Sequence, residues 1–226
     1  MYRLLIGQRS YSSWSLRGYL SFALFNIPVT IQDAVIYGPD FAEQVAEFGG
    51  GSTVPVAATD DGVILRDSLS IAWHIADQYA HKGVMPTHPQ KRAEAQNLIA
   101  DMHAGYSALR GDCPMNLRNA WDGFHPSAAV LQDLAQLDAR LGAALAASDG
   151  PFLFGTPTLV DAFYAPVAIR IAGYGLPVGD LLRAYVNAIL ALPALQSWRA
   201  EGLAHDAEVA FYDKAPLHRL PFPNRI

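Results

Sequence analysis

The sequence contains a single cysteine, Cys113, among 226 residues. An intramolecular disulfide is therefore impossible, and we expect a reducing, cytoplasmic location. No run of about 18 apolar residues occurs, and the chain does not open with a basic segment followed by a long apolar run, so we expect no membrane partner and no signal peptide. The seven histidines are scattered without ligand-type spacing, which predicts no metal site.

Charged side chains are also scarce. They make up 16% of the chain, the net charge is −5, and no run of lysine and arginine occurs, which predicts no nucleic-acid partner. Hydrophobic residues, by contrast, make up 51% of the chain. This composition is typical of a globular protein that is long enough to bury a sizeable core.

Residues 1–80 alternate between short apolar runs and apolar residues at helical spacing. Strands are predicted over 2–6, from 29–31 onward, over 54–58 and over 62–65, and helices over 14–25, over 39–48 and from Ser68. The pair Asp61-Gly62 separates the last two strands and is a strong hairpin signal. The resulting order, βαβαββα, predicts an α/β thioredoxin-like N-terminal domain.

Residues 81–89 break this pattern with one glycine and two prolines, which indicates a linker. The rest of the chain, 90–226, is predicted to form an all-helical C-terminal domain. Helices are predicted over 90–110, 126–147, 158–172, 180–190 and 194–201, and the one over 158–172 is apolar enough for the middle of the core. The tail from Pro216 is predicted to be an extended surface segment.

A serine cluster, Ser10-Tyr11-Ser12-Ser13, lies where the first strand turns into the first helix. A thioredoxin-like unit would carry Cys-x-x-Cys here, so the serines exclude dithiol chemistry. Serines at this place are good helix caps, which is the simplest interpretation. The same helix N-terminus favours an anion, and a hydroxyl there can donate to a bound thiolate and lower its pKa.

Two further pairs stand at element boundaries. Val54-Pro55 precedes the third strand, and a cis bond there would turn the Val54 backbone outward to pair with an extended peptide, although most such bonds are trans. Asp67-Ser68 opens the third helix. Capping explains this pair, and so does a site where Ser68 takes a carboxylate and Asp67 takes an ammonium group.

Taken together, these features resemble the cytosolic glutathione transferases over nearly the whole chain. The run from Arg9 to Arg17 is most similar to the zeta class, which carries Arg-Ser-Ser-Cys-Ser-Trp-Arg-Val-Arg. Laid without gaps, Ser10 matches the first serine of that run, Ser12 its cysteine and Trp14 its tryptophan. The protein is thus expected to be a bacterial Ser-type member with a zeta-like motif.

The resemblance implies that glutathione binds as a co-substrate, without a metal. Val54, beside Pro55, would pair with the cysteinyl backbone, and Asp67 and Ser68 would hold the γ-glutamyl end. Ser13 would belong to the same binding set. Proteins of this kind are usually homodimers, which is the expectation here.

The hydroxyl that donates to the glutathione thiolate is assigned to Ser10, Tyr11 or Ser12, and the sequence leaves open which of them faces the sulfur. Ser12 stands where the zeta class has cysteine, which puts maleylacetoacetate isomerase activity in doubt. Residues 49–53 lack the Lys or Gln often found just before Val-Pro, so the glycine carboxylate of glutathione loses a usual partner.

Four residues of the predicted 90–110 helix fall on or near one face: Met102, His103, Tyr106 and Arg110. They are expected to line the pocket for the electrophile, with interdomain packing as the alternative. Thr158 and Asp161 are expected to form a capping box with a structural role. Cys113 is expected to be an inert packed thiol.

The expected function is conjugation of glutathione to small hydrophobic electrophiles, as in detoxification. One alternative is a zeta-like, glutathione-dependent isomerase. The other is a non-catalytic protein-binding module with the same fold.

Overall fold

The computed structural model describes all residues, 1–226, and opens with a four-stranded sheet in the order β2-β1-β3-β4. The strands are β1 (Tyr2–Ile6), β2 (Val29–Asp33), β3 (Val56–Ala58) and β4 (Ile64–Arg66). The β1 and β2 strands are parallel, whereas β3 runs antiparallel to both β1 and β4. The βαβαββα order predicted for this part is confirmed.

Three helices cover the sheet: α1 (Ser13–Ala23), α2 (Phe41–Glu47) and α3 (Ser68–Gln78). Alternate side chains of β1 point to opposite faces, as a strand requires. Leu4 and Ile6 join the large core that includes α1 and α3, while Leu5 packs with Val45 of α2 in a smaller cluster. The helix α1 thus lies between the sheet and the helices that follow.

The second part contains α4 (Pro89–Ala104), α5 (Ser107–Asp112), α6 (Ala128–Ala146), α7 (Leu159–Tyr174), α8 (Asp180–Leu190) and α9 (Pro193–His205). All residues of α7 are buried, and α7 packs against α1. One hydrophobic core of 54 buried residues therefore runs from the sheet into the helical part. The proposed division at 81–89 stays a prediction; a short 3-10 turn, Ala80–Lys82, lies there before α4 begins.

The single helix predicted over 90–110 is wrong, because the chain breaks after Ala104 into α4 and α5. Gly105 leaves the helix with an extended backbone, and a Cβ on it would lie 2.6 Å from the carbonyl oxygen of Asp101. Tyr106 follows with a left-handed φ of 57° and packs its ring against Tyr164. A tertiary contact thus overrides the helical periodicity.

The tail is also more structured than predicted. Its strand β6 (His218–Pro221) pairs antiparallel with β5 (Asn119–Asp122), and Phe222 is buried in the core. Phe222 packs near Gly173 of α7, so the tail anchors to the central helix. The helical part therefore carries a two-stranded sheet that the local pattern did not reveal.

Candidate active site

Ser12 caps the first helix, which begins where β1 ends. Its Oγ accepts a hydrogen bond from the Ser15 backbone N–H at 3.3 Å and donates to the Ser15 Oγ at 2.8 Å. The Ser15 Oγ in turn accepts from the Gly7 N–H at 2.9 Å. The Ser12 hydroxyl is therefore committed to holding α1 on the end of β1.

Ser10 and Tyr11 turn toward the C-terminal helix and tail. The Ser10 Oγ is buried without a hydrogen-bond partner, and it lies 3.0 Å from where a Cβ on Gly202 of α9 would be. The Ser10 N–H donates to Asp206 Oδ2 at 2.5 Å. Tyr11 accepts from the Val209 N–H at 3.4 Å, and burial raises its pKa. Packing against the tail thus directs both side chains toward α9 and the tail, and neither lines the cavity at Ser13 and Trp14; their assignment to the thiolate stays a prediction.

Ser13 and Trp14, at the start of α1, line an open cavity of about 400 Å³. Ser107, Gly111, Arg110 and Arg170 of the helical part complete its wall. The cap of α1 uses Ser12 and Ser15, which leaves the Ser13 hydroxyl without a protein partner. Trp14 is the only hydrophobic residue in the wall, so the cavity is lined mainly by polar and charged residues.

Two arginines lie over the Trp14 ring, and a third, Arg170, lines the same cavity. The Arg17 guanidinium lies 4.3 Å from the indole centroid and that of Arg110 lies 4.9 Å from it. Arg17 is fully buried, and none of its three side-chain nitrogens has a hydrogen-bond partner. Burial, followed by the charges of Arg170 and Arg110, lowers the pKa of Arg17 to about 9.

Arg170 is held by backbone carbonyls. Its Nε donates to the Cys113 oxygen at 2.8 Å and its Nη1 to the Pro166 oxygen at 3.0 Å. Burial and the charge of Arg110 lower the pKa of Arg170 to about 10. The ion pairs of the protein involve other arginines, so the cluster carries positive charge without a paired carboxylate.

The Asp67-Ser68 pair lies at the same end of α1. Asp67 caps α3 by accepting from the Leu69 N–H at 2.7 Å. Its Oδ1 also lies 3.8 Å from Nδ1 of His103, whose ring meets Trp14 edge to face at 5.3 Å. The structure thus brings Asp67 and His103 together next to Trp14.

The Val54–Pro55 bond is cis. Neither the N–H nor the carbonyl of Val54 makes a backbone hydrogen bond. The Pro55 ring packs on α1 at Gly18, where a Cβ would lie 2.9 Å from it. Glycine at this position therefore permits the close approach of the proline to the helix.

Met102 and Tyr106 do not join the other two predicted pocket residues. Met102 is fully buried in the core, where no ligand reaches it. Tyr106 lines a different cavity, of about 600 Å³, together with Arg140 of α6. The break between α4 and α5 causes this divergence, because it rotates Arg110 onto Trp14 and leaves Tyr106 on another face.

Sequence reasoning missed Arg17 and Arg170. Arg170 and Asp161 are the only charged residues within the apolar helix α7, and a lone arginine in such a run was the available signal. Arg17 is the last residue of the zeta-like run from Arg9 to Arg17. It carried no local signal, because its burial depends on packing against Phe163 of α7. No group of three or more potential metal-ligating side chains occurs, and none of the helices is both long and apolar enough to cross a membrane.

The fold and the site define a protein with a thioredoxin-like domain joined to a helical one. The family model of the glutathione S-transferase N-terminal domain matches residues 11–78, and that of the C-terminal domain matches residues 119–201. The chain belongs to the glutathione transferase family.

Among curated proteins, Protein IN2-1 homolog A from Oryza sativa subsp. japonica is 27% identical over 164 residues. The match covers 72% of this chain and 60% of the length of the rice protein.

Solved structures share the fold at low identity. A glutathione transferase homolog from Burkholderia with bound glutathione is 19% identical, with a TM-score of 0.68 over 91% of this chain and 99% of that one. Maleylacetoacetate isomerase from Anaeromyxobacter dehalogenans is 20% identical, with a TM-score of 0.66 over 95% of this chain and 97% of that one. Glutathione transferase Omega 2S from Trametes versicolor is 17% identical, with a TM-score of 0.66 over 90% and 96% of the two chains.

Proposed function

We propose that the protein binds glutathione along the N-terminal sheet and joins it, through its sulfur, to a small electrophile. The observation that carries this proposal is the position of Ser13. It is the first residue of α1, its hydroxyl is free of the helix cap, and it faces the cavity beside Trp14. The start of a helix favours an anion, and a hydroxyl that donates to the sulfur lowers the thiol pKa from about 8.5.

The rest of the tripeptide has partners close by. The unpaired backbone groups of Val54 suit the cysteinyl backbone of glutathione. Asp67 and the N-terminus of α3 at Ser68 suit the ammonium and carboxylate of the γ-glutamyl end. In this arrangement Ser12 stabilises α1 and Ser13 contacts the thiolate.

The reaction is nucleophilic substitution or addition by sulfur. The thiol proton passes to solvent and the thiolate forms a bond to an electrophilic carbon. In a substitution the leaving group departs with its bonding electron pair; in an addition the π bond breaks and the resulting carbanion takes a proton from solvent. Ser13 acts as a hydrogen-bond donor that stabilises the anion, and the helical part supplies the wall that holds the electrophile.

The experiment compares Ser13→Ala with Ser21→Ala. Ser21 is a buried serine of the same helix that donates to the Arg17 carbonyl, so it is a matched control. With 1-chloro-2,4-dinitrobenzene we expect Ser13→Ala to lower kcat about 100-fold or more, as loss of one anion-stabilising donor does. The ultraviolet thiolate band of bound glutathione should titrate at higher pH in Ser13→Ala and be unchanged in Ser21→Ala.

Titration calorimetry with glutathione separates the alternatives. Absence of binding at millimolar glutathione contradicts the proposal and favours a binding module. Turnover without consumption of glutathione favours an isomerase, because an isomerase releases glutathione unchanged. Equal kcat values for Ser13→Ala and the unmodified protein would remove Ser13 from the mechanism.

The proposal includes a homodimer in the cytoplasm. Light scattering coupled to gel filtration tests the dimer, and fractionation of the source cells tests the location.

A further inference from the structure

The cavity beside Ser13 carries more positive charge than the protein neutralises. Arg17, Arg110 and Arg170 surround it or lie directly behind its wall, and none of them forms an ion pair. Asp67 acts on Arg17 electrostatically, but its carboxylate is used as the cap of α3. A buried guanidinium without a partner is costly, so a ligand that supplies negative charge is the natural complement.

The two arginines in the cavity wall are held in place by backbone oxygens. Arg170 is only 4% exposed and uses Nε and Nη1 for carbonyls, which leaves its Nη2 without a partner. The Nη1 of Arg110 donates to the carbonyls of His103 and Gly105, both at 3.3 Å, which leaves its Nε and Nη2 without a protein partner. Guanidinium groups fixed in this way match the planar, two-oxygen geometry of a carboxylate.

Arg17 contributes from behind Trp14. It is fully buried with three unpartnered nitrogens, and its charge adds to the field at the cavity. The Trp14 indole is the one large apolar surface in the wall. Arg17, Arg110 and His103 pack against it, and the part of the half-buried ring that lines the cavity can contact an aromatic ring of a ligand.

We propose that the electrophile is an aryl compound that carries a carboxylate, which Arg110 and Arg170 bind while its ring packs on Trp14. This inference rests on the proposed function, because the carbon that is attacked must lie next to the thiolate at Ser13. For a halogenated nitrobenzoate, the sulfur bonds to the ring carbon that carries the halogen. The halide leaves with its bonding electron pair, and the thiol proton has already gone to solvent.

The test uses two electrophiles that differ only in charge: 4-chloro-3-nitrobenzoate and its methyl ester. Each kcat/KM is divided by the uncatalysed rate constant with glutathione, which removes the difference in intrinsic reactivity. The unmodified protein should prefer the acid. Arg110→Gln and Arg170→Gln should each lower the ratio of the normalised kcat/KM of the acid to that of the ester about 10- to 100-fold, the value of a charged hydrogen bond.

A matched control is Arg199→Gln. Arg199 is a half-buried arginine of α9 that donates to the Leu117 carbonyl at 2.9 Å, and like Arg110 it has a pKa lowered by burial. This variant should keep the preference for the acid. Because Arg170 is buried and its replacement risks misfolding, Arg110→Gln is the deciding variant, with circular dichroism as the check on folding.

Two results overturn the inference. One is an equal normalised kcat/KM for acid and ester in the unmodified protein. The other is a higher KM for glutathione in Arg110→Gln with an unchanged acid-to-ester ratio, which would assign the arginines to a carboxylate of glutathione itself.

Binding of the unreactive 3-nitrobenzoate, measured by calorimetry without glutathione, separates this inference from the proposed function. If the acid, the ester and 1-chloro-2,4-dinitrobenzene all fail to turn over, the proposed function fails. In that case a Kd for 3-nitrobenzoate raised at least 10-fold by Arg110→Gln still supports the carboxylate site, and an unchanged Kd overturns it.

Discussion

Replacing Asp161 with alanine removes the cap of the most buried helix. The Oδ2 of Asp161 accepts from the Thr158 N–H at 2.7 Å and from the Thr158 hydroxyl at 3.0 Å, and its Oδ1 accepts from the Tyr185 hydroxyl at 2.9 Å. Asp161 is fully buried, so water cannot replace the lost acceptor. Asp161→Ala therefore takes the acceptor away from three buried donors: the Thr158 N–H, the Thr158 hydroxyl and the Tyr185 hydroxyl.

The magnitude follows from those three groups. Each buried donor without an acceptor costs about 1–3 kcal/mol, which gives a loss of about 3–9 kcal/mol in the free energy of unfolding. The typical total for a domain is about 5–15 kcal/mol, so the variant should be severely destabilised. The matched control is Ser127→Ala, which removes the exposed cap of α6 and should cost about 1 kcal/mol.

The same carboxyl group makes the loss depend on pH. Burial raises the pKa of Asp161 from 3.8 to about 6 in the folded protein. The folded state thus binds this proton more tightly than the unfolded chain, and that stabilisation is present at pH 5 and lost as the pH rises through 6. Over pH 5 to 7.5 the change is about 1.4 kcal/mol, so Asp161→Ala should cost that much more at pH 5 than at pH 7.5.

Urea denaturation followed by circular dichroism at the two pH values measures these quantities. The prediction requires Asp161→Ala to lose clearly more stability than Ser127→Ala, and to lose more at pH 5 than at pH 7.5. A loss no larger than that of the control would show that α7 does not depend on the capping box. A loss independent of pH would show that the folded pKa of Asp161 is unshifted.

Three further predictions concern packing. Gly18→Ala should lower the free energy of unfolding by about 1–3 kcal/mol, because the new Cβ meets the Pro55 ring packed on α1. Gly142→Ala, in a helix with open space around it, should raise the free energy of unfolding by up to about 1 kcal/mol. Equal effects of the two substitutions in urea denaturation would contradict this. Burial raises the pKa of Cys113 to about 12, so its thiol should resist Ellman's reagent at pH 8 until urea unfolds the chain, and rapid labelling of the native protein would refute it. Phe222→Ala should cost about 3–5 kcal/mol because the ring is 5% exposed, whereas Phe211→Ala, at 73% exposed, should change little; similar urea midpoints for the two would show that the tail is not anchored.

Much of the fold was accessible from local pattern. Short apolar runs and the period-3.6 spacing of apolar residues predicted the order of the first seven elements, and α8 begins and ends at the predicted residues. Caps also follow from sequence, because a cap depends on residues within one turn. Thr158 and Asp161 form the predicted capping box, and Ser12 caps α1, as helix capping by the serine cluster predicted.

The pairing of β5 with β6 was not accessible in this way. The two strands lie about 100 residues apart in the chain, and the ladder forms only because α7 and Phe222 bring the tail back to it. The break at Gly105 likewise depends on a ring contact between Tyr106 and Tyr164, which no local periodicity encodes.

The sequence by itself determined that a serine-rich turn opens α1 and that Val54-Pro55 and Asp67-Ser68 stand at the ends of neighbouring elements. Only the tertiary structure decided which serine lines the cavity, because Ser10 packs against α9 and Ser12 is used by the cap. Only it gathered Arg17 and Arg170 around one cavity, since these residues lie on different helices. Local spacing fixes how a helix begins, whereas the direction of a side chain and the charge of a cavity depend on what packs against it from distant parts of the chain.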